Sequence, residues 1–162
     1  MKFFKVREVK SPTRGTSLSA GIDFYCPVGK DYVLFPHADV LIPSGIKVKV
    51  PKGHALIAFN KSGVASTGRA KLLAGLSARS DNPLDACPLL IGACVIDEDY
   101  QGEVHIHLVN TGDEKIIVRQ GEKIAQFILI PVNYAMPEEV DSLEALYSEK
   151  TERGENGFGS TN

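Results

Sequence analysis

No stretch of this 162-residue chain approaches the ~20 apolar residues that a membrane-spanning helix needs. The opening run, Met1-Lys2-Phe3-Phe4-Lys5-Val6-Arg7-Glu8, breaks its apolar residues with charges and lacks the core of a secretory signal. Cysteine is scarce. Cys26, Cys87 and Cys94 are odd in number and have no metal-type spacing. They read as reduced, mostly buried thiols in a reducing compartment. An intracellular protein of the cytoplasm with no membrane partner is expected. A formal net charge of −2 gives no bulk pull toward nucleic acid, so any polyanionic ligand must be gripped by local groups. The chain lacks the spacing of a P-loop, a Gly-x-Ser-x-Gly nucleophile elbow and a credible Cys–His pair. It also lacks internal repeats and a domain linker, and its length suits one domain with its own core.

What is present is the patterning of an all-β protein. Val40-Leu41-Ile42, Ile46 to Val50 and His54 to Phe59 are short β-rich runs, with Pro43-Ser44-Gly45 and Pro51-Lys52-Gly53 read as turns between them. Val104 to Asn110 alternates, putting Val104, Ile106 and Leu108 on one face. Thr111-Gly112-Asp113 turns into Lys115 to Val118. Ile124 to Val132 is nearly continuous apolar sequence, as for a strand covered on both sides. Many short strands at this spacing predict a sandwich or barrel of the jelly-roll kind. Val64 to Pro88, rich in Ala, Gly, Ser and Leu, reads as a short helix or a long loop. Glu138 to Glu149 carries Val140, Leu143, Leu146 and Tyr147 at roughly helical spacing, suiting one or two turns of helix.

Four constellations can carry chemistry. Arg153 to Thr161 sets one cation, one aromatic and two hydroxyls on a Gly-rich backbone. Such a segment can wrap phosphates and stack a base, or be a tail with no role. Asp97-Glu98-Asp99-Tyr100-Gln101-Gly102 is an acidic turn, either a solvated hairpin tip or a group that activates water or meets Mg²⁺. Asn60-Lys61-Ser62-Gly63 follows a strand and offers ammonium, hydroxyl and backbone N–H to phosphate, a weak signal alone. His105 and His107 share a strand face, without a Cys or carboxylate partner at zinc spacing.

Taken in order, these pieces resemble the trimeric dUTPase family. Its five motifs match Ala20 to Phe24, Asn60 to Ala65, Gly92 to Gly102, Gly121 to Gln126 and Arg153 to Thr161. The resemblance implies a distorted jelly-roll β-barrel over residues 1–150, with an insertion around 66–89, and a flexible C-terminal lid over 151–162. It implies a homotrimer whose three active sites lie between subunits. The implied reaction converts dUTP and water to dUMP and pyrophosphate, limiting uracil in DNA and supplying dUMP. Mg²⁺ would ride on the triphosphate, with no direct side-chain ligand and Asp23 supporting its waters or a basic residue.

By the same resemblance, Asp97 deprotonates the attacking water. Tyr100 packs against the deoxyribose and excludes a 2′-hydroxyl. The backbone at Cys94, Val95, Ile96 and His105 reads uracil, and a tight hairpin there excludes the thymine methyl. Lys61, Ser62, Gly63 and Gln126 hold phosphates. Arg153, Ser160 and Thr161, with Gly159, hold the γ-phosphate, and Phe158 covers the uracil.

The chain departs from the pattern at Lys61, where the family commonly has Arg, losing the planar fork. The segment from Val64 to Leu90 is long, and inside it Ala78-Arg79-Ser80-Asp81 is a second candidate for motif two. Lys61-Ser62-Gly63 is preferred because it follows the Pro51-Lys52-Gly53 turn and the His54 to Phe59 strand. The alternatives are a dCTP deaminase or bifunctional deaminase–dUTPase of the same fold, and a dUTP-switched regulator that binds a protein partner.

Overall fold

A computed structural model of the chain describes residues 1–61, 89–92 and 95–156. Eleven strands are formed among them: β1 Lys2–Lys5, β2 Thr13–Arg14, β3 Ile22–Tyr25, β4 Tyr32–Leu34, β5 Asp39–Lys49, β6 His54–Phe59, β7 Leu89–Ile91, β8 Val95–Ile96, β9 Glu103–Asn110, β10 Ile116–Val118 and β11 Lys123–Pro131. They build a four-stranded sheet ordered β1-β5-β9-β7, a five-stranded sheet ordered β2-β3-β11-β6-β8, and the ribbon β4-β10. Every pairing is antiparallel. No helix among the described residues is long and apolar enough to cross a membrane.

One core joins the sheets. Ile42, Ile106 and Leu108 come from the four-stranded sheet, Phe24, Leu56 and Phe127 from the five-stranded one, and Leu34, Ile116 and Val118 from the ribbon. Phe24 and Phe127 pack with ring centroids 4.4 Å apart at 48°, a tilted pair worth more than its buried area alone. Truncating Phe127 to Ala would cost about 3–5 kcal/mol. The alternation read in β9 holds: Val104, Ile106 and Leu108 are buried on one face, and Asn110 joins them. Asn110 is a buried polar knot. Its amide donates to the carbonyls of Leu34, Phe35 and Glu114, and its oxygen accepts from Gly112 N–H, so the end of β9 is tied to β4 and to the turn before β10.

Three local expectations are corrected. Pro43-Ser44-Gly45 is not a turn between two strands but lies inside β5, where the register against β9 slips between Pro43 and Lys47. A bulge absorbs these residues because Gly45 takes φ 77° and its N–H is capped by Glu103 Oε1 at 2.6 Å, while buried Ser44 bonds Ile46 N–H. β11 is fully buried at Ile124, Ala125 and Phe127, but Ile128, Leu129 and Ile130 are only half covered in one chain. The acidic turn is not a simple hairpin tip either. β8 before it pairs with β6 in one sheet, while β9 after it pairs with β5 and β7 in the other.

The strands end at Pro131. From Asn133 to Asn156 every residue is exposed, including Tyr134, Met136, Leu143, Leu146 and Tyr147. One turn of helix, α1 Leu143–Leu146, falls within the predicted helical segment. Ser142 caps it, Oγ accepting from Ala145 N–H, and none of its residues is buried.

Candidate active site

Three neighbouring strands assemble the first cluster. In the five-stranded sheet Asp23 of β3 stands opposite Gln126 of β11, and Gln126 stands opposite Phe59 of β6. β6 then runs out into Asn60 and Lys61. Asp23 is buried, and its two carboxylate oxygens accept from two different ammonium groups, Lys61 Nζ at 2.9 Å and Lys123 Nζ at 2.8 Å. Desolvation pushes the Asp23 pKa up. The hydrogen bonds and charges of Lys123 and Lys61 outweigh it and hold the carboxylate below its ordinary value. Lys123 is raised by the same bond. Two cations against one carboxylate leave a local excess of positive charge. Each ammonium, with one N–H donated to Asp23, keeps two N–H donors for an anion.

Gln126 completes the cluster. Its Nε2 donates to Asn60 O at 2.9 Å, and its side chain lies so close to Gly21 that a Cβ there would sit 2.5 Å from Oε1. Gly21 in the first motif is thus an opening for Gln126. Asn60 Oδ1 in turn accepts from Ile91 N–H at 2.6 Å, fastening β7 to the end of β6.

Lys123 went unnoticed as a site residue. A three-residue spacing places Lys123 and Gln126 on opposite faces of a regular strand. The register of β11 against β3 slips between Lys123 and Ala125, and that bulge turns both side chains toward Asp23 and Asn60. The sequence shows no trace of it, because Ile124 to Val132 is nearly continuous apolar sequence with no alternation for a bulge to interrupt.

The second cluster surrounds the acidic turn. Val95 and Ile96 pair with Ile57 and Leu56, and Asp97 follows them, exposed, with its carbonyl accepting from Tyr100 N–H at 3.3 Å. The Tyr100 ring folds back over Gly102, where an added Cβ would collide with it, and its hydroxyl donates to Glu103 O at 3.0 Å. His105 and His107 share a face but not a partner. His105 Nδ1 meets Glu103 O, whereas His107 Nε2 meets Asp39 Oδ2 at 2.8 Å and the His107 ring fills the space beside Gly92. Among the described residues no His, Cys, Asp and Glu side chains gather in a group of three that could hold a metal. Cys26 is buried, and desolvation first, then the charges of Asp31 and Glu122, push its thiol up to about 12, which leaves it unreactive at neutral pH.

The two clusters do not meet within one chain. Ile96 is level with Leu56 near the start of β6, and Lys61 lies beyond its end. Asp97 and Lys61 are thus separated by about six residues of extended chain, roughly 20 Å. Arg153 joins neither cluster, its Nε donating to Asn156 O at 2.9 Å within its own segment. Ser62, Gly63, Cys94, Phe158, Gly159, Ser160 and Thr161 lie outside the described residues, as do Arg79 and Ser80 and the expected insertion up to residue 88.

A family sequence model described as dUTPase matches residues 73–162. A mouse protein named deoxyuridine 5'-triphosphate nucleotidohydrolase is 35% identical over 162 residues, covering 99% of this chain and 84% of its own length. The protein of the same name from Hydrogenobaculum sp. is 32% identical over 158 residues, covering 97% and 94%. Among solved structures, the dUTPase of Staphylococcus bacteriophage 80alpha with dUPNHPP superposes with a TM-score of 0.77, covering 99% of this chain and 97% of that one at 21% identity, a likeness of fold. The matched run contains the acidic turn, the bulged strand and the Gly-rich tail: the chain belongs to the dUTPase family.

Proposed function

We propose that this chain is a dUTP diphosphatase that cleaves dUTP to dUMP and pyrophosphate, with Asp97 as the base that activates water. The observation that carries the reading is the pairing of an exposed Asp97 on a fixed turn with a separate cationic pocket of Lys61 and Lys123 on Asp23. An ionised carboxylate accepts the water proton, the water oxygen bonds to the α-phosphorus, and the bond from that phosphorus to the α,β-bridging oxygen breaks. Pyrophosphate leaves with the electron pair. Phosphoryl transfer asks the protein chiefly for in-line positioning and charge neutralisation. Lys61 and Lys123 supply the neutralisation, and Gln126, Ser62 and Gly63 hold the phosphates by hydrogen bonds. The Tyr100 ring gauges the sugar, and the backbone of Cys94, Val95, Ile96 and His105 reads uracil. The tail from Arg153 through Phe158, Gly159, Ser160 and Thr161 closes over the nucleotide.

Mg²⁺ fits this reading as an ion carried on the substrate's phosphates. Asp23 is saturated by two ammonium groups, so it serves as the support for the basic residues rather than as a ligand. When bound, the ion withdraws charge from the phosphate oxygens.

The separation of Asp97 from Lys61 supports a homotrimer with sites built between chains. So does the exposed apolar segment from Tyr134 to Tyr147, which finds no cover on its own sheets. The bond from Lys61 to Asp23 supports Lys61-Ser62-Gly63 as motif two. The family match, which begins at residue 73, contains Arg79 and Ser80. Comparing Ser62→Ala with Ser80→Ala decides between them, loss of turnover marking the true motif. The function is tested by pyrophosphate release with Mg²⁺ from dUTP, dCTP, dTTP and UTP. Release from dUTP alone supports it. Ammonia from dCTP, or dUTP binding without pyrophosphate, overturns it.

A further inference from the structure

Beside the acidic turn, one carboxylate ties three separate segments together. Glu98 Oε2 accepts from Gly53 N–H at 2.7 Å and from the Tyr134 hydroxyl at 2.9 Å. Gly53 O in turn accepts from Val132 N–H at 2.9 Å. Glu98, Gly53, Val132 and Tyr134 thereby form a closed ring of contacts. It links the acidic turn, the turn between β5 and β6, and the chain just past β11. The ring is electrostatically favoured: the Gly53 bond first, then the Tyr134 bond and the charges of Lys49 and Lys52, hold the Glu98 carboxylate below its ordinary value.

Tyr134 is 60% exposed, lies outside the core, and donates its hydroxyl to Glu98. Asp97, the residue before Glu98, makes no side-chain hydrogen bond of its own among the described residues and is exposed. The direction in which its side chain leaves the chain is therefore set by its backbone, which is held on one side by the β8 pairing with β6 and on the other by Glu98.

We propose that Tyr134 is a positioning residue which, acting through Glu98, holds the Asp97 turn in its working orientation. The proposal rests on the reading of Asp97 as the base. Tyr134 lies at the root of the exposed C-terminal segment, so the same bond couples that segment's exit from the sheet to the catalytic turn. Reorientation of a catalytic group by 1 Å can cost about a hundredfold in rate, so a loosened turn shows in kcat.

The experiment compares wild type, Tyr134→Phe, Glu98→Gln, Glu98→Ala and the double variant Tyr134→Phe/Glu98→Ala. It measures kcat and KM for dUTP with Mg²⁺, the melting temperature, and hydrogen exchange at the Tyr100 amide. Tyr134→Phe is expected to lower kcat about tenfold with KM within about twofold. Its melting temperature stays that of wild type, and Tyr100 N–H exchanges faster. Glu98→Gln, which keeps an oxygen acceptor for both donors, retains most of the rate. Glu98→Ala, which also gives up the Gly53 bond, loses at least as much as Tyr134→Phe, and the double variant loses no more than Glu98→Ala, because Tyr134 acts only through Glu98. Wild-type kcat and wild-type exchange in Tyr134→Phe overturn the proposal, as does a rate loss that follows the melting temperature. A wild-type chain that releases no pyrophosphate overturns the functional reading instead, and the exchange of Tyr100 still reports whether Tyr134 holds the turn.

Discussion

Asp97 and Lys61 stand at opposite ends of the same strand: Asp97 follows the residue paired with Leu56, and Lys61 lies two residues past the last residue of β6. In the proposed reading, a nucleotide that meets both draws them from different copies of the chain. Asp97→Asn chains and Lys61→Met chains are each expected to be inactive alone. Mixed in equal amounts and reassembled, they should recover activity at about a quarter of the sites, since a site built from one good Asp97 and one good Lys61 forms at random. Pyrophosphate release before and after mixing measures it. No recovery, with mixed oligomers shown to have formed, would place both residues in one subunit's site.

The sugar gauge has a similarly local test. Gly102 is the space over which the Tyr100 ring folds. Gly102→Ala drives a methyl into that ring and displaces it. Discrimination between dUTP and UTP, read as the ratio of kcat/KM values, should fall about tenfold, a size typical for one small group at a specificity pocket. An unchanged ratio would remove Tyr100 from that role.

Much of the scaffold was legible because β9 obeys a simple period, with Val104, Ile106 and Leu108 inward. The Asp23, Lys61 and Gln126 cluster was legible only as separate motifs, since strand neighbours are set by topology and not by sequence distance. Lys123 stayed hidden behind the bulge in β11, which breaks the period on which strand reading depends. The same physics hid the continuity of β5, where Pro43 and Gly45 look like a turn and form a bulge capped by Glu103. The acidic run looked like a hairpin tip because nothing in Val95-Ile96 says which sheet it will join.

Asp23 predicts an acid dependence. Its folded pKa lies below the ordinary value, so its ion pairs contribute stability that is complete above the unfolded pKa of about 3.9 and is lost as the pH falls through the lower folded value. Asp23→Asn should therefore be less stable than wild type at neutral pH. The gap should narrow below about pH 4 as the wild-type carboxylate protonates. Urea unfolding at pH 7 and near pH 3 checks the sign. A gap that widens in acid would mean that the two lysines do not stabilise the ionised form.

The most direct test is Asp97→Asn, which keeps the size of the side chain and removes the base. Single-turnover pyrophosphate release from dUTP with Mg²⁺ should fall by at least about a hundredfold, the lower range for losing a general base. Binding of a non-hydrolysable dUTP analogue should stay within a few-fold of wild type. Turnover at the wild-type rate in Asp97→Asn would contradict Asp97 as the base.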